Sequence, residues 1–320
     1  MSESKSAALQ ALSQKVLANV RRVIVGKDEV IEKLMISSLC GGHVLLEDIP
    51  GTGKTTLAKA LARSTDCVFR RVQFTPDLLP SDVTGINFYN QKEETFVFRQ
   101  GPIFTNILLA DEINRATPRT QSALLECMEE RQATIDGVTY PMAEPFLVLA
   151  TQNPIETQGT FPLPEAQLDR FFMKLSMGYP SAENEADILT NFMRVSPLDS
   201  LEPVVTKEEI VEAQRLVREI MVSDAVRGYI VAIANATRND STIRLGVSPR
   251  GTLALMRAAQ CHAGIHGREF VLPDDVKAVA ADVLSHRIIC RGANLLRQTG
   301  GAAEAVAAVL NAVPVPIEEN

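Results

Sequence analysis

The chain contains no tryptophan, and aromatic residues make up only 5% of it. It therefore has little from which to build a base-stacking platform for single-stranded nucleic acid. Excess positive charge is missing too: 32 basic against 39 acidic residues leave a formal net charge of −7. A surface that wraps nucleic acid would be basic, so only a local basic loop stays open to that role. The five cysteines (Cys40, Cys67, Cys127, Cys261 and Cys290) are scattered, odd in number and include no C-x-x-C. They read as reduced core thiols of a cytosolic protein rather than as a disulfide framework. No segment approaches 18 apolar residues without a charge, so no membrane span is expected. Residues 1–26 follow an amphipathic helical pattern instead of the uninterrupted apolar core of a secretion signal. The expectation is a soluble, cytoplasmic protein. Its 320 residues can bury a sizeable core and suggest two domains.

What is present falls into two parts. Up to about residue 180, short apolar runs alternate with helical patterns. The strand candidates are Val44–Leu46, Val68–Gln73, Ile107–Ala110, Phe146–Ala150 and Phe171–Leu175, which predict an α/β fold with a parallel sheet covered on both faces. Two segments depart from that rhythm as hairpins: residues 85–98, and Ala133–Tyr140 with Asp136-Gly137 at its turn. From residue 181 to 320 the pattern is helical, with segments Glu183–Arg194, Lys207–Met221, Asp224–Thr237, Pro249–Ala263 and Asp274–His286. Start signals stand at Ser181, Thr206, Ser223, Ser248 and Pro273-Asp274. The tail after Ala312 is expected to be loose.

The chemistry is concentrated in a few runs. In Leu45–Thr56, LLEDIPGTGKTT, an apolar strand stops at a glycine-rich turn and a helix follows. After Pro50, the backbone N–H groups of Gly51-Thr52-Gly53 and of the helix start at Lys54-Thr55-Thr56 can cradle polyphosphate at a helix N-terminus. The Lys54 ammonium would reach the outer phosphates of ATP, and the Thr55 hydroxyl would ligate Mg2+. The first glycine of the usual G-x-x-x-x-G-K-[ST] pattern is replaced by Asp48. A second apolar strand, Ile107–Ala110, ends in Asp111-Glu112, at the end of the strand where open α/β sheets bind ligands. Asp111 would hold Mg2+ and Glu112 would polarise the attacking water. By itself the pair would be a solvated acidic turn. Asn153, at the tip of a third strand, could bond the γ-phosphate or the water, although Asn153-Pro154 is also ordinary turn chemistry. Arg170, between Asp169 and Phe171, reads in isolation as a surface salt bridge.

Together, GTGKT (Gly51–Thr55), LLADEINRA (Leu108–Ala116), LATQNP (Leu149–Pro154), LPEAQLDRF (Leu163–Phe171), VSPRG (Val247–Gly251) and QFTPDLLP (Gln73–Pro80) resemble the MoxR family of AAA+ ATPases. The resemblance runs from about Val25 to Arg287, and Asp48 is ordinary at its position there. It implies a P-loop AAA+ core at 1–180 and an all-α lid domain at 181–320. Lys54 and Thr55 become the Walker A pair and Asp111 and Glu112 Walker B, while Asn153 matches sensor 1. Arg170 resembles the arginine finger, Arg250 resembles sensor 2, and Val25-Gly26 resembles the segment against adenine. Arg115, Arg119 and Arg131 are competing candidates for the subunit boundary. Residues 85–98 match the helix-2 insert and residues 133–140 the pre-sensor-1 hairpin.

The resemblance also implies a homo-oligomeric, hexameric ring, with ATP and Mg2+ as cofactors. Its client would be a protein, with von Willebrand factor A domain proteins among the candidates, remodelled or helped to take up a metal cofactor. Two alternatives are a nucleic-acid-associated AAA+ motor, disfavoured by the net charge, and a nucleotide-gated scaffold that barely hydrolyses. Other groups read as bland. His262 and His266 share a helical face without an obvious carboxylate or cysteine partner. Glu126, Glu129 and Glu130 read as a solvated face, and Met128 with Leu124 and Leu125 as core.

Overall fold

Apolar runs too short for helices become the strands of one parallel sheet, and the amphipathic segments between them cover it. A computed structural model of the chain describes residues 4–153, 159–193, 196–292 and 298–316. The first part contains α1 (Lys5–Arg21), α2 (Asp28–Leu39), β1 (Val44–Glu47), α3 (Lys54–Ser64), β2 (Phe69–Gln73) and α4 (Pro80–Thr84). It continues through β3 (Gly85–Asn90), β4 (Thr95–Gln100), β5 (Ile107–Asp111), α5 (Pro118–Glu130), β6 (Gln132–Ile135), β7 (Val138–Pro141), β8 (Leu147–Gln152), α6 (Glu165–Leu168) and β9 (Met173–Leu175). The sheet order is β2-β5-β8-β1-β9, all parallel.

Side chains alternate across this sheet even where a strand is buried on both faces. Val44 and Leu46 of β1 join Leu109, Leu149 and Met173 in one core with α1, α2 and α3. Leu45 joins Leu108, Val148 and Ala150 in a second core under α5, whose Leu124, Leu125 and Met128 are buried as expected. Both hairpins form, as β3 with β4 and β6 with β7. Asp136 and Gly137 both take positive φ, the left-handed turn that this dipeptide signals. The hairpins meet where Phe98 stacks on Tyr140 with ring centroids 4.2 Å apart.

The second part holds α7 (Ala182–Phe192), α8 (Lys207–Val217), α9 (Asp224–Asn239), β10 (Ile243–Leu245), α10 (Pro249–Ile265), α11 (Pro273–Leu284), β11 (Ile289–Cys290) and α12 (Gln298–Ala312). Ser181, Thr206, Ser223 and Ser248 each accept a backbone N–H from the first turn of the helix they open. A short antiparallel pair, β10 with β11, lies among these helices. The Ala-rich α12 gives little periodic signal in the sequence, yet it buries Ala302, Val306 and Val309 along one face. The change of character near residue 180 is one of element type, not a break in packing. Leu9 of α1 lies against Gly264 of α10, and a single apolar cluster runs from the sheet into the helices. Arg194, Pro154 and the end of the tail lie outside the described residues.

Candidate functional site at the carboxyl ends of the strands

The glycine-rich turn follows β1 and runs straight into α3. Gly51 and Gly53 have φ of +83° and +91°, which side-chain-bearing residues rarely adopt. The space a Cβ would occupy is open at Gly51, and at Gly53 it meets only Met177 Cε at 3.9 Å. The turn is therefore a cradle with its mouth free and the N–H groups of α3 behind it, which fits a phosphate chain. Pro50 is exposed, and Thr52, Thr55 and Thr56 are half-buried at the rim and in the first turn of α3.

Asp48, off-pattern in the sequence, acquires a structural reason. Its buried carboxylate accepts from Ser176 Oγ and Gly178 N–H, both at 3.1 Å, and from Met177 N–H. It thereby pins the segment after β9 beneath the turn. The Lys54 ammonium donates to the carbonyls of Asp48 and Ile49 at 3.0 and 2.9 Å. Burial lowers its pKa from the usual lysine value, and the fields of Asp48, Asp111 and Glu112 oppose that.

The acidic pair sits two strands away, at the end of β5. Asp111 Oδ1 accepts from Thr151 Oγ1 of β8 at 2.6 Å, while Oδ2 accepts from Arg71 of β2 at 2.6 and 3.1 Å. Oδ1 keeps a lone pair for a cation shell, so the set of Thr55 hydroxyl and Asp111 carboxylate fits Mg2+, which prefers oxygen ligands. Glu112 is a non-glycine residue in the left-handed region, φ +56°. Such a conformation costs on the order of 1–3 kcal/mol and clusters at functional sites. It is held there by the Thr151 hydroxyl, which accepts the Glu112 N–H at 2.8 Å. Glu112 Oε2 accepts from Gln73 Nε2 at 2.8 Å and from Arg115 Nη1 at 3.1 Å. Arg71, Gln73 and Thr151 carried no signal as single residues, since only the sheet order brings β2 and β8 to either side of β5. Asn153 lies buried just past β8. Val25 is half-buried, and Gly26, at φ +68°, packs so closely on Asn184 of α7 that any Cβ would collide with that side chain.

Arg170 and Arg250 are elsewhere. Arg170 precedes β9, whose Met173 pairs with Val44 at the start of β1, so it lies at the opposite end of the sheet from the phosphate turn. Arg170 Nε is 3.1 Å from Glu129 Oε2, and Arg250 Nη2 bonds Glu129 Oε1. The reading of Glu129 as a solvated residue is thus corrected: it is clamped by two arginines, one from each part of the chain. Beside them Asp169 accepts from Ser248 Oγ at 2.9 Å and from Arg287 Nε at 2.8 Å. Arg287 is almost fully buried and also donates to the carbonyls of Phe171, Phe172 and Val283. Burial pulls its pKa down to about 10, against the pull of Asp169. The sequence offered no sign of this latch. Of the competing arginines, Arg115 pairs with Glu112, Arg131 caps α5 and donates to the Gly41 carbonyl, and Arg119 is exposed.

Comparisons with known proteins agree with this architecture. A model of the ATPase family associated with various cellular activities (AAA) matches residues 43–173, and a model of the AAA lid domain matches residues 235–308. The chain is 49% identical to the uncharacterized protein YeaC of Bacillus subtilis, over 98% of this chain and 97% of that one. It is 44% identical to the chaperone MoxR1 of Mycobacterium tuberculosis, over 86% of this chain and 75% of that one. Protein MoxR of Paracoccus denitrificans is 34% identical, over 93% and 95% of the two chains. A crystal structure from Cytophaga hutchinsonii, described as a candidate ATPase, superposes with a TM-score of 0.88 at 39% identity, covering 98% of this chain and 97% of that one. A P-loop core with a parallel sheet, a helical lid and relatives of this likeness lead to one family: the chain belongs to the MoxR family of AAA+ ATPases.

Proposed function

We propose that this chain hydrolyses ATP with Mg2+ at a site shared between neighbouring subunits of a ring, and uses the cycle to remodel partner proteins. The observation that carries the reading is the convergence of Lys54, Asp48, Asp111 and Glu112, three carboxylates acting on one ammonium beside an open glycine cradle. Bound Mg2+ would neutralise charge on the β- and γ-phosphates. Thr55 and Asp111 are the residues to hold it. Lys54 exchanges its carbonyl partners for phosphate oxygens. Glu112 orients and polarises water, and Gln73 and Arg115, which bond the same carboxylate oxygen, set its direction. Asn153, at the mouth of β8, supplies an amide to the same region. Val25 and Gly26 form the edge against which a base would lie.

The arginines support the ring. Arg170 and Arg250 share Glu129 at the far end of the sheet, and β1 alone spans about 13 Å at roughly 3.3 Å per residue. They are therefore positioned to serve a neighbour's nucleotide rather than their own, with Glu129 parking them between engagements. For client contact the hairpin β3–β4 offers exposed Ile86, Phe88, Tyr89 and Phe96. A protein client to be remodelled is supported by the chaperone-named relative, whereas a von Willebrand factor A domain or a metal cofactor to insert is implied only by the family resemblance.

The test is Glu112→Gln, assayed for ATP binding and steady-state hydrolysis. Retained binding with turnover reduced ~10²-fold or more supports the reading. Unchanged turnover would reject it in favour of chemistry elsewhere.

A further inference from the structure

Away from the phosphate turn, α2 and α10 pack side by side, with Cys40 Sγ 3.4 Å from the Arg257 carbonyl. About two turns further along this contact, His262 and His266 of α10 face Glu32 of α2. The two imidazoles lie 4.4 Å apart, tilted by 32°. Glu32 Oε1 is 3.9 Å from His262 Nε2 and 4.0 Å from His266 Nε2.

The other nitrogen of each ring is already committed. His262 Nδ1 is 2.6 Å from Asp275 Oδ1, and His266 Nδ1 is 2.8 Å from the His262 carbonyl. Both partners are acceptors, so each Nδ1 carries a proton, and the Nε2 atoms that face Glu32 are the ones free to ligate. The Asp275 carboxylate also accepts from both terminal nitrogens of Arg268 and from the Leu272 N–H. Asp275 is thus held in place and locks the His262 ring. A histidine whose remote nitrogen is held by a carboxylate or carbonyl is the arrangement that surrounds metal-ligating imidazoles. Among the described residues no lysine or arginine pairs with Glu32.

We propose that Glu32, His262 and His266 bind a divalent transition-metal ion of the zinc type, bridging α2 and α10. Two imidazoles and a carboxylate suit such an ion and leave its remaining position to water. The three donor atoms lie within 4.8 Å of one another. Bonds of about 2.0–2.1 Å to a tetrahedral ion would draw them to about 3.4 Å, a closure that side-chain rotation supplies. His266 is 44% exposed, which gives the ion a way in. Since α2 follows Gly26 and α10 carries Arg250 in its first turn, the ion would fasten the helical part of the chain to the core.

Tag-free, nucleotide-free protein titrated with Co2+, followed by displacement with Zn2+, tests the assignment by absorption spectroscopy. The expected result is one ion per chain, d–d bands without thiolate charge transfer, and affinity at least about tenfold lower in both His266→Ala and Glu32→Gln. Zn2+ should also raise the thermal midpoint of the parent chain and not of either variant. Equal affinity in all three chains, a thiolate band implicating Cys40 or Cys261, or no saturable binding would overturn it.

Discussion

The two ends of the central sheet differ in how they are built. At the carboxyl ends of the strands, one lysine lies among Asp48, Asp111 and Glu112, and the groups come from contiguous motifs. At the amino ends, Arg170, Arg250 and Arg287 surround Glu129 and Asp169, and the groups come from segments up to 158 residues apart, as with Glu129 and Arg287. One end is built to receive a polyanion and its cation. The other stores cations on carboxylates. On the proposed reading each is half of a hydrolytic site, and the difference teaches where to look for the complement: on another copy of the chain.

The largest expected effect comes from the arginine end. Arg170→Ala should lower ATPase activity by roughly 10³-fold or more, the range set by arginines supplied in trans. Mixing it with Lys54→Ala chains should restore part of the rate, because each chain then supplies the half the other lacks. Failure to complement, with a rate independent of protein concentration, would break the two-ended picture. A buried charge left without its partner costs about 3–5 kcal/mol, so Asp169→Ala, which strands the Arg287 guanidinium, should lower unfolding stability in urea by that order. The corresponding change at the other end, Arg71→Ala, leaves Asp111 bonded to Thr151 and partly open to water. Its stability loss should be about 1 kcal/mol or less.

Acid sharpens the comparison further. His43, at the start of β1, is fully enclosed: its Nδ1 accepts from Val148 N–H and its Nε2 donates to the Met128 carbonyl, each at 3.0 Å. Burial, helped by Arg131, depresses its pKa to about 3. A folded-state pKa below the unfolded value near 6.5 means that the stabilisation is complete above pH 6.5. It is lost as pH falls from there toward 3, at about 1.4 kcal/mol per pH unit. His43→Gln should flatten that limb of the urea-stability curve between pH 6 and 4, and an unchanged slope would assign acid sensitivity to other groups.

Much of the carboxyl-end site is legible in the sequence because its signals are local. A strand that stops at Gly51-Thr52-Gly53-Lys54, or one that ends in Asp111-Glu112, carries its own structural context within a dozen residues. The helix starts at Ser181, Thr206, Ser223 and Ser248 are legible for the same reason, since a cap acts on its own first turn. Glu129 reads as solvated, and His262 and His266 read as unpartnered, because their neighbours lie on other elements. Glu129 meets Arg170 and Arg250 only through the fold, and the histidines meet Glu32 only where α2 packs on α10. The helix α12 escaped because alanine favours helix without marking a face.

The sequence by itself determined the family, the parallel-sheet core, both hairpins and the residues of the phosphate turn, since strand period, turn chemistry and motif spacing act over short stretches of chain. The tertiary structure alone decided that Asp48 anchors the segment after β9, that Gln73 and Thr151 aim Glu112, and that two arginines share one glutamate far from their own phosphate turn. Those pairings depend on strand order and helix packing, which bring together side chains that no local pattern links.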